Sequence, residues 1–298
     1  MSGDTRKGVL FVFLSYFMWG LLPIYWKLLD SIHPFEILAN RIIFSAIFVA
    51  ILIICSGQFK SFIADCKFIF SNSRRILILI AASIFIAINW GTFIWAVNTG
   101  HILFSSMGYY INPLASVLLG IIFLREKLNS YQIAAVIFSA AGAVSMLIQL
   151  GEFPWISFVL AFSFAFYGLM KKMLLVSAFT TIMLESLLLS PIMIFYEYYL
   201  SISNNCVYQN INLSNFLLLA ASGIATAIPL IFFSAGAKKL QLKIVGFLQY
   251  ISPTLSLFIG IFIYKESFTA AHFIAFGLIW IGIIIFSISQ IKENNNAQ

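Results

Sequence analysis

The sequence reads YINPLASVLLGIIFLRE at residues 110–126 and YISPTLSLFIGIFIYKE at residues 250–266. The two stretches lie 140 residues apart, and seven of their seventeen aligned positions are identical. A composition rich in Ile and Leu would give scattered matches, but it would not align Tyr, Pro, Gly and Glu together. The identical pairs are Tyr110/Tyr250, Ile111/Ile251, Pro113/Pro253, Ser116/Ser256, Gly120/Gly260, Ile121/Ile261 and Glu126/Glu266. The chain therefore contains an internal repeat, which Gly142 and Gly282 continue.

The composition of the whole chain is that of a membrane protein. Of its 298 residues, 62% are hydrophobic, 17% are aromatic and only 9% are charged. An average soluble domain is about 25% charged, so this chain cannot cover the surface of a soluble enzyme. The net charge of +7 comes from basic residues that form no single patch, and we therefore expect no nucleic-acid partner. Three scattered cysteines show no ligand spacing, and we expect neither a metal nor a cofactor.

Ten apolar runs are each long enough to cross a bilayer as a helix. A helix needs about 20 mostly apolar residues to span a hydrocarbon core of about 30 Å. Strands of an outer-membrane barrel would instead alternate over about ten residues. The sequence thus predicts an all-α polytopic membrane protein with ten transmembrane helices. The runs are residues 8–28, 35–56, 75–97, 102–124, 130–149, 154–173, 178–200, 214–236, 243–264 and 269–290.

One longer connection, residues 57–74, has a pattern of its own. Apolar residues, among them Phe59, Phe62, Cys66 and Phe70, recur at helical spacing between basic side chains. This pattern fits an amphipathic helix on the membrane surface, and a solvated loop explains it equally well.

The basic residues predict the orientation of the chain in the membrane. Ten spans place both termini on the same side. With the termini in the cytoplasm, fourteen of the seventeen Lys and Arg residues fall on the cytoplasmic side, including Lys171 and Lys172. This asymmetry follows the positive-inside rule, so the basic residues are interpreted as topology signals.

The repeat and the topology together predict two inverted halves. Five spans separate the two copies, and because five is odd, the second copy enters the membrane upside down. We expect a first five-helix repeat at residues 1–150 and a second, inverted one at residues 151–298. Inverted repeats are typical of secondary transporters, in which two halves rock around a site near the midplane.

Prolines in equivalent places indicate hinges. Pro113 and Pro253 each lie three residues after a repeated Tyr, and Pro23 interrupts the first span. Proline frees a backbone carbonyl one turn earlier, which in lipid must find a partner or line a cavity. Tyr110 and Tyr250 are therefore the leading candidates for substrate contacts. The alternative is that proline is simply common in transmembrane helices.

Two charged residues lie inside spans, at equivalent positions of the second and seventh. Arg41 and Glu185 each lie about 10 Å from opposite faces of the membrane at 1.5 Å per residue, too far apart in depth for a direct contact. A substrate, a water molecule or a shifting network would connect them and set the charge preference. A desolvated Glu185 would also be able to couple transport to protons. The alternative is that Arg41 snorkels to the outer interface.

Uncharged polar and aromatic residues complete the predicted substrate site. They are interpreted either as cavity lining or as contacts that join helices. These residues are Asn89, Trp90, Asn112 and Gln249.

Several stretches resemble a known family. They are WGLLPIYWK at residues 19–27, PFEILANR at residues 34–41, YYINPL at residues 109–114 and LQYISPT at residues 248–254. Over nearly its whole length the chain resembles the RarD proteins, in the EamA branch of the drug/metabolite transporter superfamily. The resemblance implies a ten-helix carrier of the bacterial inner membrane, with helices five and ten outside the central cavity. Asn40 departs from the His expected before Arg41, which puts hydrogen bonding or proton coupling there in doubt.

The function predicted is a secondary transporter of small metabolites, amino acids or drug-like solutes, working by alternating access with or without protons. Its partners would be a small-molecule substrate and the lipid bilayer, and the chain would act as a monomer or weak homodimer. A passive channel or a non-transporting membrane subunit is the alternative. All three Asp residues lie outside the spans, which excludes an intramembrane aspartyl enzyme, and we expect no enzymatic activity.

Overall fold

The computed structural model describes residues 3–99, 101–150, 153–203, 206–209, 211–263 and 270–296. Within these ranges the chain is almost entirely helical and contains no strand. Nine of the described helical segments are long and apolar enough to cross a membrane. A tenth apolar helical stretch, Ser130–Met146, is shorter. The predicted all-α polytopic fold is confirmed.

The helices follow the ten predicted runs, with one additional helix after the second and a break within the ninth. The bounds are α1 Gly3–Lys27, α2 Pro34–Cys55, α3 Phe59–Phe70, α4 Ser73–Asn98, α5 Ile102–Leu124, α6 Ser130–Leu150, α7 Trp155–Met173, α8 Ala178–Ile202, α9 Leu213–Ala237, α10 Leu242–Gln249, α11 Ile251–Phe258 and α12 Ala270–Asn296.

Local sequence explains where the two charge-bearing helices begin. His33 precedes α2 and accepts a hydrogen bond from the Phe35 N–H, while Pro34 occupies the first helical position, where no donor is needed. Ser177 caps α8 in the same way by accepting from the Phe179 N–H. Equivalent caps therefore begin α2 and α8 in the same register.

The internal repeat is visible in the helix starts and in the packing. In two pairs, α4 and α9, and α5 and α10, the second helix begins 140 residues after the first. The packing is paired as well: α1 lies along α9 as α7 lies along α4, and α5 lies along α7 as α11 lies along α1. The described helices thus follow an approximate two-fold arrangement.

The two copies of the repeated motif differ in their backbone. The first copy lies in α5, which is continuous through Pro113. The second is broken between α10 and α11 at Tyr250, three residues before Pro253, and widens into a π turn at Ile259–Ile263. Its last residues, including Glu266, lie outside the described part of the chain. The predicted hinge thus coincides with a break in the second half only, while Pro23 and Pro113 lie inside unbroken helices.

The segment predicted to be either an amphipathic helix or a loop is the helix α3. Its Ile69 is fully buried in a cluster with residues of α4 and of the α7–α8 connection, while Phe59 and Phe70 are exposed. The Asp65 carboxylate accepts hydrogen bonds from the Ser177 N–H (2.9 Å) and the Thr180 hydroxyl (2.7 Å). This helix therefore holds the start of α8.

Helices α6 and α12 pack mainly against each other. Gly142 and Gly282 allow the close approach, because a Cβ at Gly142 would lie 2.7 Å from the Ala275 carbonyl oxygen and one at Gly282 would lie 2.8 Å from the Ala135 carbonyl oxygen. The repeated glycine at this position is therefore required for the close packing of α6 against α12.

Candidate functional site

A cavity lies where α2 and α4 of the first half meet α7, α8 and α9 of the second. The cavity volume is about 10 Å³, which is room for about one water molecule. The helices are therefore closed around it. The lining residues are Ile42, Ser45, Ile86, Trp90, Tyr167, Ile182, Glu185, Ser186, Leu189, Thr226 and Leu230.

One of the lining residues, Glu185, belongs to a buried ion pair. Lys171 of α7 and Glu185 of α8 are only 1% and 4% exposed, and Lys171 Nζ lies 2.6 Å from Glu185 Oε1. The Tyr167 hydroxyl donates to the other carboxylate oxygen at 3.2 Å, and Lys171 donates to the Thr181 hydroxyl at 3.0 Å. Burying two charges away from water has a large desolvation cost unless each charge is paired. Here each charge compensates the other.

This pairing corrects the interpretation of Lys171 as a topology signal. The residue does lie near the end of an apolar run, but its side chain turns into the bundle toward α8. Sequence reasoning missed it because a Lys at the end of a span is usually interfacial. The available signal was Glu185 itself, since an acidic residue inside a span requires a partner.

Arg41 has a different environment. Its guanidinium carbon lies 5.2 Å from the ring centre of Trp26 and 4.5 Å from that of Trp90, within cation–π range. Its Nε atom is buried and has no hydrogen-bond partner in the described part of the chain. Glu36, five residues before Arg41, accepts a hydrogen bond from the Val207 N–H at 2.6 Å instead of pairing with Arg41.

Arg41 and Glu185 are each the eighth residue of their helix, as the repeat predicts. The structure does not connect them directly. Glu185 is compensated by Lys171, whereas no carboxylate pairs with Arg41 among the described residues. Trp90 lies between the two environments, since it covers Arg41 and lines the cavity that Glu185 also lines.

The structure places Tyr110 and Tyr250 away from this cavity. The Tyr250 hydroxyl donates to the Tyr110 carbonyl oxygen at 3.4 Å, and both rings are buried in an apolar cluster with Phe247 and Phe276. They pack where α5, α10 and α12 meet. Neighbouring rings cover both tyrosines in this arrangement, and their contact with substrate stays a prediction.

The uncharged candidate residues divide into those that join helices and those that line the cavity. The Asn89 side chain donates to the Leu160 carbonyl (2.9 Å) and to Ser163 (3.1 Å), which joins α4 to α7. The Gln249 amide donates to the Ser116 hydroxyl at 3.1 Å, which joins α10 to α5. The Asn112 side-chain oxygen is buried without a partner in the described part of the chain. Of these uncharged candidates, Trp90 is the one that lines the cavity.

A second polar cluster closes the end of the bundle opposite α3. The Asn40 amide donates to Glu197 at 2.8 Å, and its oxygen accepts from the Tyr208 hydroxyl. Burial, reinforced by the charge of Glu197, raises the pKa of Tyr208 to about 12, so this hydroxyl is a donor at neutral pH. The departure from the family pattern at Asn40 therefore lies in a hydrogen-bonded contact between α2, α8 and the turn Val207–Gln209.

Potential metal-ligand atoms of Glu36, Glu197 and Cys206 also meet at this end, all within 4.8 Å of one another. The Cys206 thiol approaches Glu197 at 3.5 Å, and burial raises the pKa of that thiol. Because both carboxylates already accept protein hydrogen bonds, the cluster is accounted for as a contact that ties the 206–209 segment to α2 and α8.

Comparison with known proteins identifies the family. The model of the EamA-like transporter family matches residues 6–148 and again residues 154–288. The chain belongs to the EamA-like transporter family. Within it the chain is 43% identical to an uncharacterized transporter of Bacillus subtilis, YojE, over 97% of this chain and 96% of that protein. It is 38% identical to the RarD protein of Escherichia coli, again over 97% of this chain and 96% of that protein.

A crystal structure of a protein with 16% sequence identity to this chain has a similar fold. Its TM-score is 0.67, and the match covers 93% of this chain and 96% of the other. The family and the names of these relatives indicate a multi-pass membrane transporter of the drug/metabolite kind, in the RarD group, rather than an enzyme.

Proposed function

We propose that the protein is a secondary carrier that moves a small solute by alternating access, with the cavity between Trp90 and Glu185 as its substrate site. The observation that carries the proposal is the composition of this cavity: helices of both halves enclose it, and its lining includes Glu185, whose buried carboxylate is paired with Lys171. Inverted-repeat carriers bind substrate at this kind of interface.

An asymmetry between equivalent helix pairs supports the alternating movement. Helix α2 packs tightly along α9, where the Ser45 hydroxyl donates to the Gly223 carbonyl at 3.0 Å. The equivalent pair, α4 and α8, makes much less contact, and the cavity lies between these two helices. Because the halves are related by the repeat, a second state of similar energy would bring α4 against α8 and separate α2 from α9. Substrate would then be exposed at opposite faces in turn.

Glu185 supports coupling of this movement to protons. Its carboxylate is buried, lines the cavity and has a basic partner, Lys171, on a different helix of the same half. Opening the cavity would admit water to the pair, and closing it would remove that water again. A carboxylate whose hydration changes between two states takes up and releases protons between them. The same feature distinguishes a coupled carrier from a passive channel, which needs a continuous open path.

The location that fits this function is the bacterial inner membrane, with both termini and α3 in the cytoplasm. The excess of Lys and Arg at that end supports the orientation. One chain supplies both halves, so a monomer suffices.

Counterflow in proteoliposomes tests the proposal. Purified protein is reconstituted into vesicles that are loaded with an unlabelled pool of amino acids and small metabolites, and the uptake of each labelled compound is then followed. A carrier gives a transient accumulation of its substrate that saturates with concentration. Flux that neither saturates nor responds to solute on the opposite side would indicate a channel and overturn the proposal.

A further inference from the structure

The charges around the cavity do not balance. Lys171 and Glu185 compensate each other across 2.6 Å. Arg41 is left with one positive charge, and no carboxylate pairs with it among the described residues. A guanidinium stays charged at physiological pH, so it cannot relieve an unfavourable environment by losing its proton. This region of the molecule therefore has one uncompensated positive charge.

The surroundings of Arg41 leave a particular part of it available. Trp26 of α1 and Trp90 of α4 cover the guanidinium, whose central carbon lies 5.2 and 4.5 Å from the two ring centres. Stacked rings occupy the faces of a guanidinium and leave its N–H edge free. The buried Nε has no hydrogen-bond partner in the described part of the chain, and buried polar groups are rarely left unpaired. The edge of Arg41 is thus an unused donor.

The neighbouring cavity indicates what the rest of a ligand would be. Its walls are mainly apolar and aromatic, and Trp90 belongs both to these walls and to the cover of Arg41. One further unpartnered group, the buried Thr226 hydroxyl, lies in the same walls in the described structure. A ligand that matched these features would have one anionic end and an apolar body with room for one more hydrogen bond.

We propose that the transported solute is a small monocarboxylate whose carboxylate pairs with Arg41, and that its apolar body enters between α4 and α8 when these helices, now closed around space for about one water, move further apart. This inference rests on the transporter function proposed above. A carboxylate suits the site because two of its oxygens can accept parallel hydrogen bonds from one guanidinium edge. A single negative charge suits it because Glu185 already has its cation, so a second carboxylate would have none.

Binding to the purified full-length protein in detergent tests the charge of the ligand directly. The probes are matched pairs that differ only at the charged end: benzoate and benzamide, phenylacetate and phenylacetamide, and indole-3-acetate and indole-3-acetamide, with phenethylammonium as the cation. Binding is followed by thermal stabilisation and by the fluorescence of the tryptophans that cover Arg41. At least one acid should bind about tenfold or more tightly than its amide, and the cation should not bind.

Variants assign the preference to Arg41. Arg41→Gln should reduce the acid-over-amide ratio to about one, Arg41→Lys should retain part of it, and Arg74→Gln, at an exposed arginine, should leave it unchanged. If Arg41→Gln does not fold, the ratio measured on the unaltered protein and on Arg41→Lys still decides. No acid preferred over its amide, or a preference that survives Arg41→Gln in folded protein, would overturn the inference.

Transport of the same probes separates this inference from the function on which it rests. An acid that binds through Arg41 but shows no counterflow would support the anion site and contradict the carrier. Counterflow of the amides or the cation at least equal to that of the acids would support the carrier and contradict the anion site.

Discussion

Arg41 in the first half and Glu185 in the second occupy the same position of equivalent helices, yet only Glu185 has an oppositely charged partner among the described residues. Glu185 is 4% exposed and is held by Lys171 and Tyr167. Among the described residues, Arg41 is held only by the rings of Trp26 and Trp90. The comparison teaches that the repeat duplicates the framework of helices and assigns different chemistry to its two copies. A compensated charge is suited to coupling, and an uncompensated one is suited to binding.

The largest expected effect comes from breaking the ion pair between Lys171 and Glu185. Lys171→Met should lower the free energy of unfolding by about 3–5 kcal/mol, because it leaves Glu185 buried without its cation. The double variant Lys171→Met/Glu185→Leu should recover most of that loss. Unfolding in mixed detergent micelles measures both. A double variant as unstable as the single one would show that the pair does not compensate as described.

Removing the charge of Arg41 should affect stability much less. Arg41→Gln should leave the free energy of unfolding unchanged within about 1 kcal/mol or raise it, because it removes a partly buried charge that has no carboxylate partner among the described residues. The same unfolding experiment checks this result. A loss as large as that of Lys171→Met would mean that Arg41 has a structural partner and would end the contrast between the two positions.

A smaller effect is expected where the first half meets the 206–209 segment. Tyr208→Phe removes the hydroxyl that donates to Asn40 and should cost about 1 kcal/mol. Tyr199→Phe, at an exposed tyrosine of α8, is the matched control and should have no measurable effect. Equal losses in the two variants would contradict a role for the Asn40 contact.

The last expected effect is a dependence of stability on pH. Burial lowers the pKa of Lys238, just beyond α9, to about 8, whereas an unfolded Lys titrates near 10.4. Between these values the unfolded chain binds more protons, so raising the pH from 8 to 10 should stabilise the fold. Melting temperatures across this range should rise more for the unaltered protein than for Lys238→Met. Parallel curves would show that Lys238 titrates normally.

Much of the fold could be predicted from the sequence because its signals are local. Runs of about 20 apolar residues give the spans, and the aligned Tyr, Pro, Gly and Glu give the repeat. The break at Tyr250 could not be predicted, because nearly the same motif forms a continuous helix through Pro113. Packing against different neighbours, rather than the motif itself, decides whether the backbone continues.

The site was harder to predict because it depends on how helices rotate against each other. Arg41, Trp90 and Glu185 were recognisable, since charge inside a span requires an explanation. Lys171 was not, because only the facing of α7 toward α8 distinguishes it from Lys172 beside it. Tyr110 and Tyr250 were conspicuous in the repeat, yet their side chains pack toward the cluster that contains Phe247 and Phe276. A motif shared by two halves can reflect packing as readily as binding.

The central claim, that Arg41 binds the solute while Glu185 couples its movement, is tested most directly by measuring two fluxes for two variants in the same proteoliposomes. Counterflow and pH-driven uptake of the transported solute are compared for the unaltered protein, Arg41→Gln and Glu185→Gln. The account predicts that Arg41→Gln loses both fluxes, whereas Glu185→Gln retains counterflow and loses the response to the pH gradient. The same pattern of loss in both variants, or an unchanged pH response in Glu185→Gln, would contradict it.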